Sequence, residues 1–108
     1  MFIKKELNPE GIFEVSAEEV SKNLDQVSLI DVRRPDEWQG ELGHIEDAIL
    51  CTLGSELNEK LKRLPKEKPY VFVCRSGMRS LNAALAAKQM GFTDVYNLKG
   101  GMIAWNNR

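Results

Sequence analysis

The sequence predicts an α/β fold in which a central, mostly parallel sheet of five strands carries helices on both faces. Five runs rich in apolar residues have the length of strands, and the segments between them repeat their apolar residues at helical spacing. Strands that alternate with helical segments are typical of a parallel sheet. The chain shows no internal repeat, linker or low-complexity segment, so we expect residues 1–108 to form a single domain.

The first two strands are predicted to flank a short helix. Residues 13–15, "FEV", have the composition of a strand, and after them Ser16 and Glu19 have the spacing of a capping box. Apolar residues then recur at helical spacing over residues 17–24. Residues 27–33, "VSLIDVR", are an apolar run ended by charge, which is typical of a strand covered on both faces.

The middle of the chain is predicted to add two helices and one strand. Pro35 favours the first turn of a short helix that extends through Trp38. Residues 48–53, "AILCTL", form another apolar run of strand length. The helix that follows is expected to stop at Pro65, and its apolar face consists of Leu57, Leu61 and Leu64.

The last part of the chain contains the strongest strand in the sequence. Residues 69–73, "PYVFV", are aromatic and β-branched. A helix is predicted from about residue 79 to residue 90, because Gly91 favours a helix end. Residues 94–98 are predicted as the last strand, and "GGMIAWNN" after it as a closing helical turn.

The charge balance gives no indication of a nucleic-acid or membrane partner. Lys and Arg total 15 and Asp and Glu total 16, for a net charge of -1. No apolar stretch approaches the roughly 18 residues that a membrane span needs. The first residues also lack the apolar core of a signal peptide. We therefore expect a cytoplasmic protein.

Cysteine and histidine usage predicts neither a metal site nor a disulfide framework. The chain has two cysteines, Cys51 and Cys74, and a single histidine, His44. The cysteines lack the C-x-x-C spacing of a zinc or redox pair. We expect no metal and no cofactor, and two free thiols. Cys51 lies inside an apolar run and is predicted to pack in the core.

Cys74 occupies a position at which a reactive thiol is expected. It ends the strand predicted at 69–73, and open parallel sheets bind ligands beyond the carboxyl ends of their strands. The residues after it, "RSGMRS", lead into a helix whose first amides lack intrahelical partners and carry partial positive charge. Gly77 permits a backbone conformation that a side chain would forbid.

This loop is predicted to keep Cys74 ionised. Amides from residues 75–80 would point at the sulfur, and Arg75 and Arg79 add positive charge. Cysteines in such surroundings have pKa values of roughly 3.5–7.5 instead of about 8.5. Cys74 is therefore the predicted nucleophile, and it needs no histidine as a base.

Three segments of the chain carry motifs in a specific order and spacing. They are "DVRRPDEWQGELGHIEDAI" at 31–49, "CRSGMRS" at 74–80 and "VYNLKGGMIAW" at 95–105. Together these segments resemble those of the rhodanese-like sulfurtransferases in their single-domain form. The resemblance extends over nearly the whole chain.

The resemblance implies a rhodanese-like fold and a two-step transfer of sulfane sulfur. Cys74 takes the outer sulfur of a small anionic donor such as thiosulfate, releases sulfite and becomes a persulfide. A thiophilic acceptor then removes that sulfur; this is cyanide in the standard assay, and a thiol or a protein in cells. The implied catalytic residue is Cys74, and the implied substrate-binding residues are Arg75, Ser76, Gly77, Met78, Arg79 and Ser80.

Roles within the loop and around it follow as expectations. We expect Arg75 and Arg79 to attract the donor and the loop amides to hold the terminal sulfur. For Arg79 a second role stays open, a salt bridge that shapes the loop. Asp31 ends a strand near the site and is expected to orient the loop or to pair with an arginine. Arg33 and Glu37 are expected to pair with nearby residues.

Three other functions stay open beside this one. A cysteine phosphatase or arsenate reductase needs an arginine six positions after the cysteine, where this chain has Ser80 and the arginine falls one position earlier. A regulatory binding module of this fold typically lacks the cysteine, which this chain keeps. A persulfide carrier would pass sulfur to a protein partner and turn over small molecules poorly.

Overall fold

A mixed, mostly parallel sheet of six strands runs through the centre of the molecule. The computed structural model describes residue 2 and residues 4–108. The strands are β1 (Glu6–Leu7), β2 (Phe13–Val15), β3 (Ser28–Asp31), β4 (Ile49–Leu50), β5 (Tyr70–Val73) and β6 (Val95–Leu98). Their order across the sheet is β1-β2-β6-β5-β3-β4. All neighbours are parallel except β1, which pairs antiparallel with β2.

In the described residues, five helices connect these strands and confirm the predicted alternation. They are α1 (Ala17–Lys22), α2 (Pro35–Trp38), α3 (Ser55–Arg63), α4 (Met78–Gln89) and α5 (Gly101–Asn106). The five predicted strands correspond to β2 through β6. Within residues 2 and 4–108, no helix combines the length and the apolar character that crossing a membrane requires.

The sequence-based count of five strands is wrong by one, because it missed β1. This strand has only two residues and both are exposed, so it presents no buried face from which an alternating pattern could arise. It pairs Glu6 with Glu14 and Leu7 with Phe13 at the edge of the sheet.

Several predicted elements are shorter than expected, among them the strand predicted at 27–33, which is limited to Ser28–Asp31. The first helix ends at Lys22, because Asn23 leaves the helical conformation and its side-chain amide donates to the carbonyl of Glu19 at 2.8 Å. A 3₁₀ turn at Leu24–Gln26 follows it. The strand predicted at 48–53 is reduced to the two residues of β4.

Apolar side chains pack on both faces of the sheet. Successive residues of β5 alternate between two buried clusters, with Phe72 in one and Val71 and Val73 in the other. The first cluster includes side chains of α3 and α4, and the second includes side chains of α1 and α5. The central strand β5 is therefore buried along its whole length, and it delivers the next residue, Cys74, to one end of the sheet.

The start of α5 holds the segment that follows β5. The amide of Met102 donates to the carbonyl of Cys74 at 2.8 Å, and the amide of Ile103 donates to the carbonyl of Arg75 at 3.1 Å. Gly101 has a φ of +58°, and a Cβ at this position would overlap both of those carbonyls. Only glycine allows this close approach.

We predict that Gly101→Ala is strongly destabilising. The added methyl meets both backbone strain and the loop carbonyls, so the free energy of unfolding should fall by about 2–5 kcal/mol in urea denaturation. Gly43→Ala is the matched control: Gly43 has a φ of +61°, but beyond its chain neighbours no described atom lies within 4 Å of its Cβ position. That variant should lose only about 1–2 kcal/mol. Equal losses in the two variants would contradict the close approach.

Candidate active site

Cys74 lies at the carboxyl end of β5, at the start of the loop that leads into α4. Its side chain is 1% exposed, yet its sulfur faces hydrogen-bond donors. The amide of Gly77 donates to Sγ at 3.0 Å, and the hydroxyl of Ser80 lies 3.3 Å from it. Gly77 has a φ of +112°, a left-handed conformation that favours glycine and turns its amide toward the sulfur.

The two cysteines are both buried, but their acidities are shifted in opposite directions. Burial raises the pKa of Cys74, but the hydroxyl of Ser80 and the amides of Ser80, Gly77 and Ser76 together outweigh it, so the pKa lies below its ordinary value. Cys51 is 3% exposed within the apolar core, as predicted, and burial raises its pKa. The loop therefore favours a thiolate at Cys74 alone.

Arg79, in the first turn of α4, is bound to Glu37 of α2. The pair is bidentate, with Nη1 2.7 Å from Oε1 and Nη2 2.8 Å from Oε2. Hydrogen bonding to Arg79 lowers the pKa of Glu37 to about 2, although partial burial opposes this shift. The structure thus shows Arg79 in a salt bridge, which is the second of the two roles that the sequence left open for it. Glu37 also pairs locally, as expected: its Oε1 accepts from the amide of Arg34 at 3.1 Å and lies 3.7 Å from Nη1 of the same residue.

Asp31 and Arg33 form a buried ion pair beyond the end of β3. Nη2 of Arg33 lies 2.8 Å from Oδ2 of Asp31, and both side chains are almost fully buried. Arg33 also donates to the carbonyls of Glu37 and Gly43. The pairing expected for each of these residues is confirmed. Because Arg33 binds the backbone on both sides of the turn after α2, the pair holds Glu37 in place opposite Arg79.

The remaining polar and apolar side chains of the loop are at the surface. Arg75 is exposed and lines a cavity of about 230 Å³ together with Arg33, Glu37, Gly40, Glu41 and Leu42. Met78 is 69% exposed at the start of α4. Of the predicted substrate-binding residues, Ser76, Gly77 and Ser80 therefore surround the sulfur. Arg75 and Met78 are exposed, and Arg79 is bound to Glu37.

A model of the rhodanese-like domain family matches residues 16–108. This chain belongs to the rhodanese-like domain family. YtwF of Bacillus subtilis is 46% identical over 81 residues, which make up 75% of this chain and 75% of YtwF. The thiosulfate sulfurtransferase GlpE of Shewanella oneidensis is 36% identical over 81 residues, 74% of this chain and 76% of GlpE.

A solved structure supports the same relationship. The human single-domain sulfurtransferase TSTD1 superposes with a TM-score of 0.79 at 27% sequence identity. The alignment covers 88% of this chain and 96% of TSTD1. The resemblance seen in the three motifs is thereby confirmed, and so is the rhodanese-like fold.

Two residues of this rhodanese-like domain were missed by the sequence-based prediction. Asn97 of β6 is buried; it accepts a hydrogen bond from the hydroxyl of Ser80 and donates to the carbonyl of Gly77 at 3.0 Å. Glu14 of β2 accepts from the same Asn97 amide at 3.0 and 3.2 Å. The one signal in the sequence is a polar residue inside the apolar strand "VYNL". Its partners could not be foreseen without the pairing of β2 with β6.

We predict that the Glu37–Arg79 pair stabilises the domain at neutral pH but not in strong acid. The folded-state pKa of Glu37 is lowered to about 2, so its contribution is complete above the unfolded-state pKa of about 4.3 and is lost as the pH falls toward 2. Glu37→Gln should lower the free energy of unfolding by about 1–3 kcal/mol at pH 7. By pH 2.5 the difference from wild type should be mostly gone.

Urea denaturation at a series of pH values measures this difference. Glu41→Gln, in the exposed segment that follows α2, is the matched control and should behave like wild type throughout. A loss in Glu37→Gln that stays constant from pH 7 to pH 2.5 would show that the ion pair is not its source.

Proposed function

We propose that this rhodanese-like domain transfers sulfane sulfur from a small anionic donor, such as thiosulfate, to a thiophilic acceptor through a persulfide on Cys74. The observation that carries the proposal is the set of donors around the Cys74 sulfur, the Gly77 amide and the Ser80 hydroxyl. Sulfur transfer as the general activity is supported by the relationship to sulfurtransferases such as GlpE and TSTD1.

In the first step the Cys74 thiolate attacks the outer sulfur of the donor. A bond forms between Sγ and that sulfur, and the sulfur–sulfur bond of thiosulfate breaks, so that its electron pair leaves with sulfite. The negative charge that was on Sγ now lies on the terminal sulfur of the persulfide. In this proposal the loop amides stabilise this charge, together with Arg75, which is exposed on the same loop. No oxidant is needed.

In the second step a nucleophilic acceptor attacks the terminal sulfur. The bond between this sulfur and Sγ breaks, and its electron pair returns to Cys74 as the thiolate. The donors that stabilise the free thiolate therefore also make Cys74 a better leaving group. Because Arg79 is bound to Glu37, its role in this cycle is to shape the loop, and attraction of the anionic donor falls to Arg75.

The site geometry disfavours the phosphatase alternative. At the sixth position after Cys74, where that chemistry needs an arginine, the buried Ser80 places its hydroxyl against the sulfur. The arginine one position earlier is bound to Glu37. A docking module without chemistry is also disfavoured, because the loop lowers the pKa of its cysteine.

One observation favours a protein as the acceptor. Met78 is a large apolar side chain exposed four positions after the nucleophile, and Arg75 is exposed on the same loop. A small thiol gains little from an apolar contact with Met78. A partner protein that presents a cysteine also has neighbouring side chains, and these can bury Met78. The persulfide carrier is therefore the second candidate function.

We predict that thiosulfate adds the mass of one sulfur atom to the wild-type protein. Intact-mass spectrometry should show this addition in wild type and in the matched control Cys51→Ser, whose thiol lies in the apolar core. Cys74→Ser should gain nothing, because it lacks the attacking sulfur. Loading of Cys74→Ser, or failure of wild type to load, would overturn the proposed function.

A further inference from the structure

A row of polar side chains crosses the sheet from β2 to the Cys74 loop. The parallel register places Glu14 of β2 directly beside Asn97 of β6. Both oxygens of the Glu14 carboxylate accept from the Asn97 amide, and the same amide donates to the carbonyl of Gly77. On its other side Asn97 accepts from Ser80. An outer strand is thereby connected to the two residues whose amide and hydroxyl contact the sulfur.

These partners permit only one orientation of the Asn97 side chain. A carboxylate and a carbonyl can accept hydrogen bonds but cannot donate them, so the amide nitrogen must face Glu14 and Gly77. The amide oxygen must then face the hydroxyl of Ser80. Asn97 is almost fully buried, so water does not replace a lost partner freely, and a reversed amide would leave buried acceptors unpaired.

We propose that Asn97 is a positioning residue for the Cys74 sulfur and that Glu14 holds its amide in the required orientation. Asn97 fixes the carbonyl of Gly77, whose amide donates to Sγ, and its amide oxygen lies against the hydroxyl of Ser80, which also lies beside Sγ. The inference rests on the proposed function only in that the Cys74 thiolate is the nucleophile. Neither Asn97 nor Glu14 contacts the reacting atoms.

The hydroxyl of Ser80 lies between two acceptors, Sγ of Cys74 and the amide oxygen of Asn97, and can donate to only one of them at a time, because it has one proton. A thiolate is the stronger acceptor, so the proton turns to Sγ in the free enzyme. Once Sγ carries a second sulfur it is no longer charged, and the proton returns to the amide oxygen of Asn97.

Glu14 could act on the pKa of Cys74 directly through space or indirectly through Asn97, and the two effects have opposite signs. A carboxylate acting on the thiolate through space disfavours ionisation, so its removal would lower the pKa of Cys74. Acting through Asn97, Glu14 favours ionisation, so its removal would raise that pKa. The other charged side chains of this region stay unchanged in the test. Those beside Glu14 are Lys4, Lys5, Glu6 and Lys99, and those around the loop are Asp31, Arg33, Glu37, Arg75 and Arg79.

The test compares Glu14→Ala with Glu14→Gln in the Cys51→Ser background. The rate of Cys74 alkylation by iodoacetamide is followed against pH, and its midpoint reports thiolate formation. Glu14→Ala should move the midpoint up by about half a unit to one unit, because the amide of Asn97 loses its restraint. Glu14→Gln keeps an oxygen that can accept from Asn97 and should stay close to wild type.

Any other pattern overturns the inference. If Glu14→Ala leaves the midpoint unchanged or lowers it, or if Glu14→Gln shifts as far as Glu14→Ala in either direction, Glu14 does not act through the amide. Asn97→Ala should raise the midpoint further than Glu14→Ala, and the exposed Asn58→Ala is its matched control. If Asn97→Ala does not fold, the comparison of Glu14→Ala with Glu14→Gln still decides the question. Both variants should fold, because Glu14 is only half-buried on a strand near the edge of the sheet.

Sulfur loading, measured separately by intact mass, distinguishes this inference from the proposed function. A positioning role predicts that Glu14→Ala loads slowly at neutral pH and regains the wild-type rate at high pH, where the thiolate forms without help. A purely structural role would slow loading at every pH. If wild type loads sulfur but Glu14→Ala shows no shift of its alkylation midpoint, this inference alone is overturned. If wild type never loads sulfur, the proposed function is overturned.

Discussion

The function argued for this domain depends on the direction in which one short stretch of backbone points its amides. The amides of Met102 and Ile103, at the start of α5, bind the carbonyls of Cys74 and Arg75 and so fix the backbone of the loop where it leaves β5. Gly77 and Ser80 complete the turn and direct donors toward the Cys74 sulfur. Without this arrangement Cys74 would be a buried thiol like Cys51, whose pKa is raised by its apolar surroundings. Burial alone opposes a thiolate, and only the donors reverse that effect.

Three polar pairs that involve residues outside the loop keep it in this shape. Arg79 is bound by Glu37, the position of Glu37 depends on the buried pair of Asp31 and Arg33, and Asn97 is oriented by Glu14. A buried ion pair adds little stability by itself, because desolvation of its charges offsets their attraction. The value of these pairs lies in geometry: they hold the hydrogen-bond donors around Sγ in place, so that the proposed movement of charge from one sulfur to the next needs little reorganisation.

Local patterns were sufficient to predict the parallel strands, the helices between them and the position of Cys74. Each depends on residues close together in the chain, such as the apolar run before Cys74 and the glycine after it. What was missed depends on partners far apart: Glu37 and Arg79 are 42 positions apart, and Glu14 and Asn97 are 83 positions apart. The edge strand β1 was missed for another reason, because Leu7 is largely exposed and no buried face marks the strand.

The most direct test of this account is the ionisation of Cys74 itself. Thiolate absorbance in the ultraviolet, taken as the difference between wild type and Cys74→Ser across a pH titration, isolates this one sulfur. The wild-type midpoint should lie below the value of about 8.5 for an unperturbed cysteine, and it should rise once Ser80→Ala removes the hydroxyl. A wild-type midpoint at or above 8.5 would contradict this expectation, because the loop would then have failed to overcome the cost of burial.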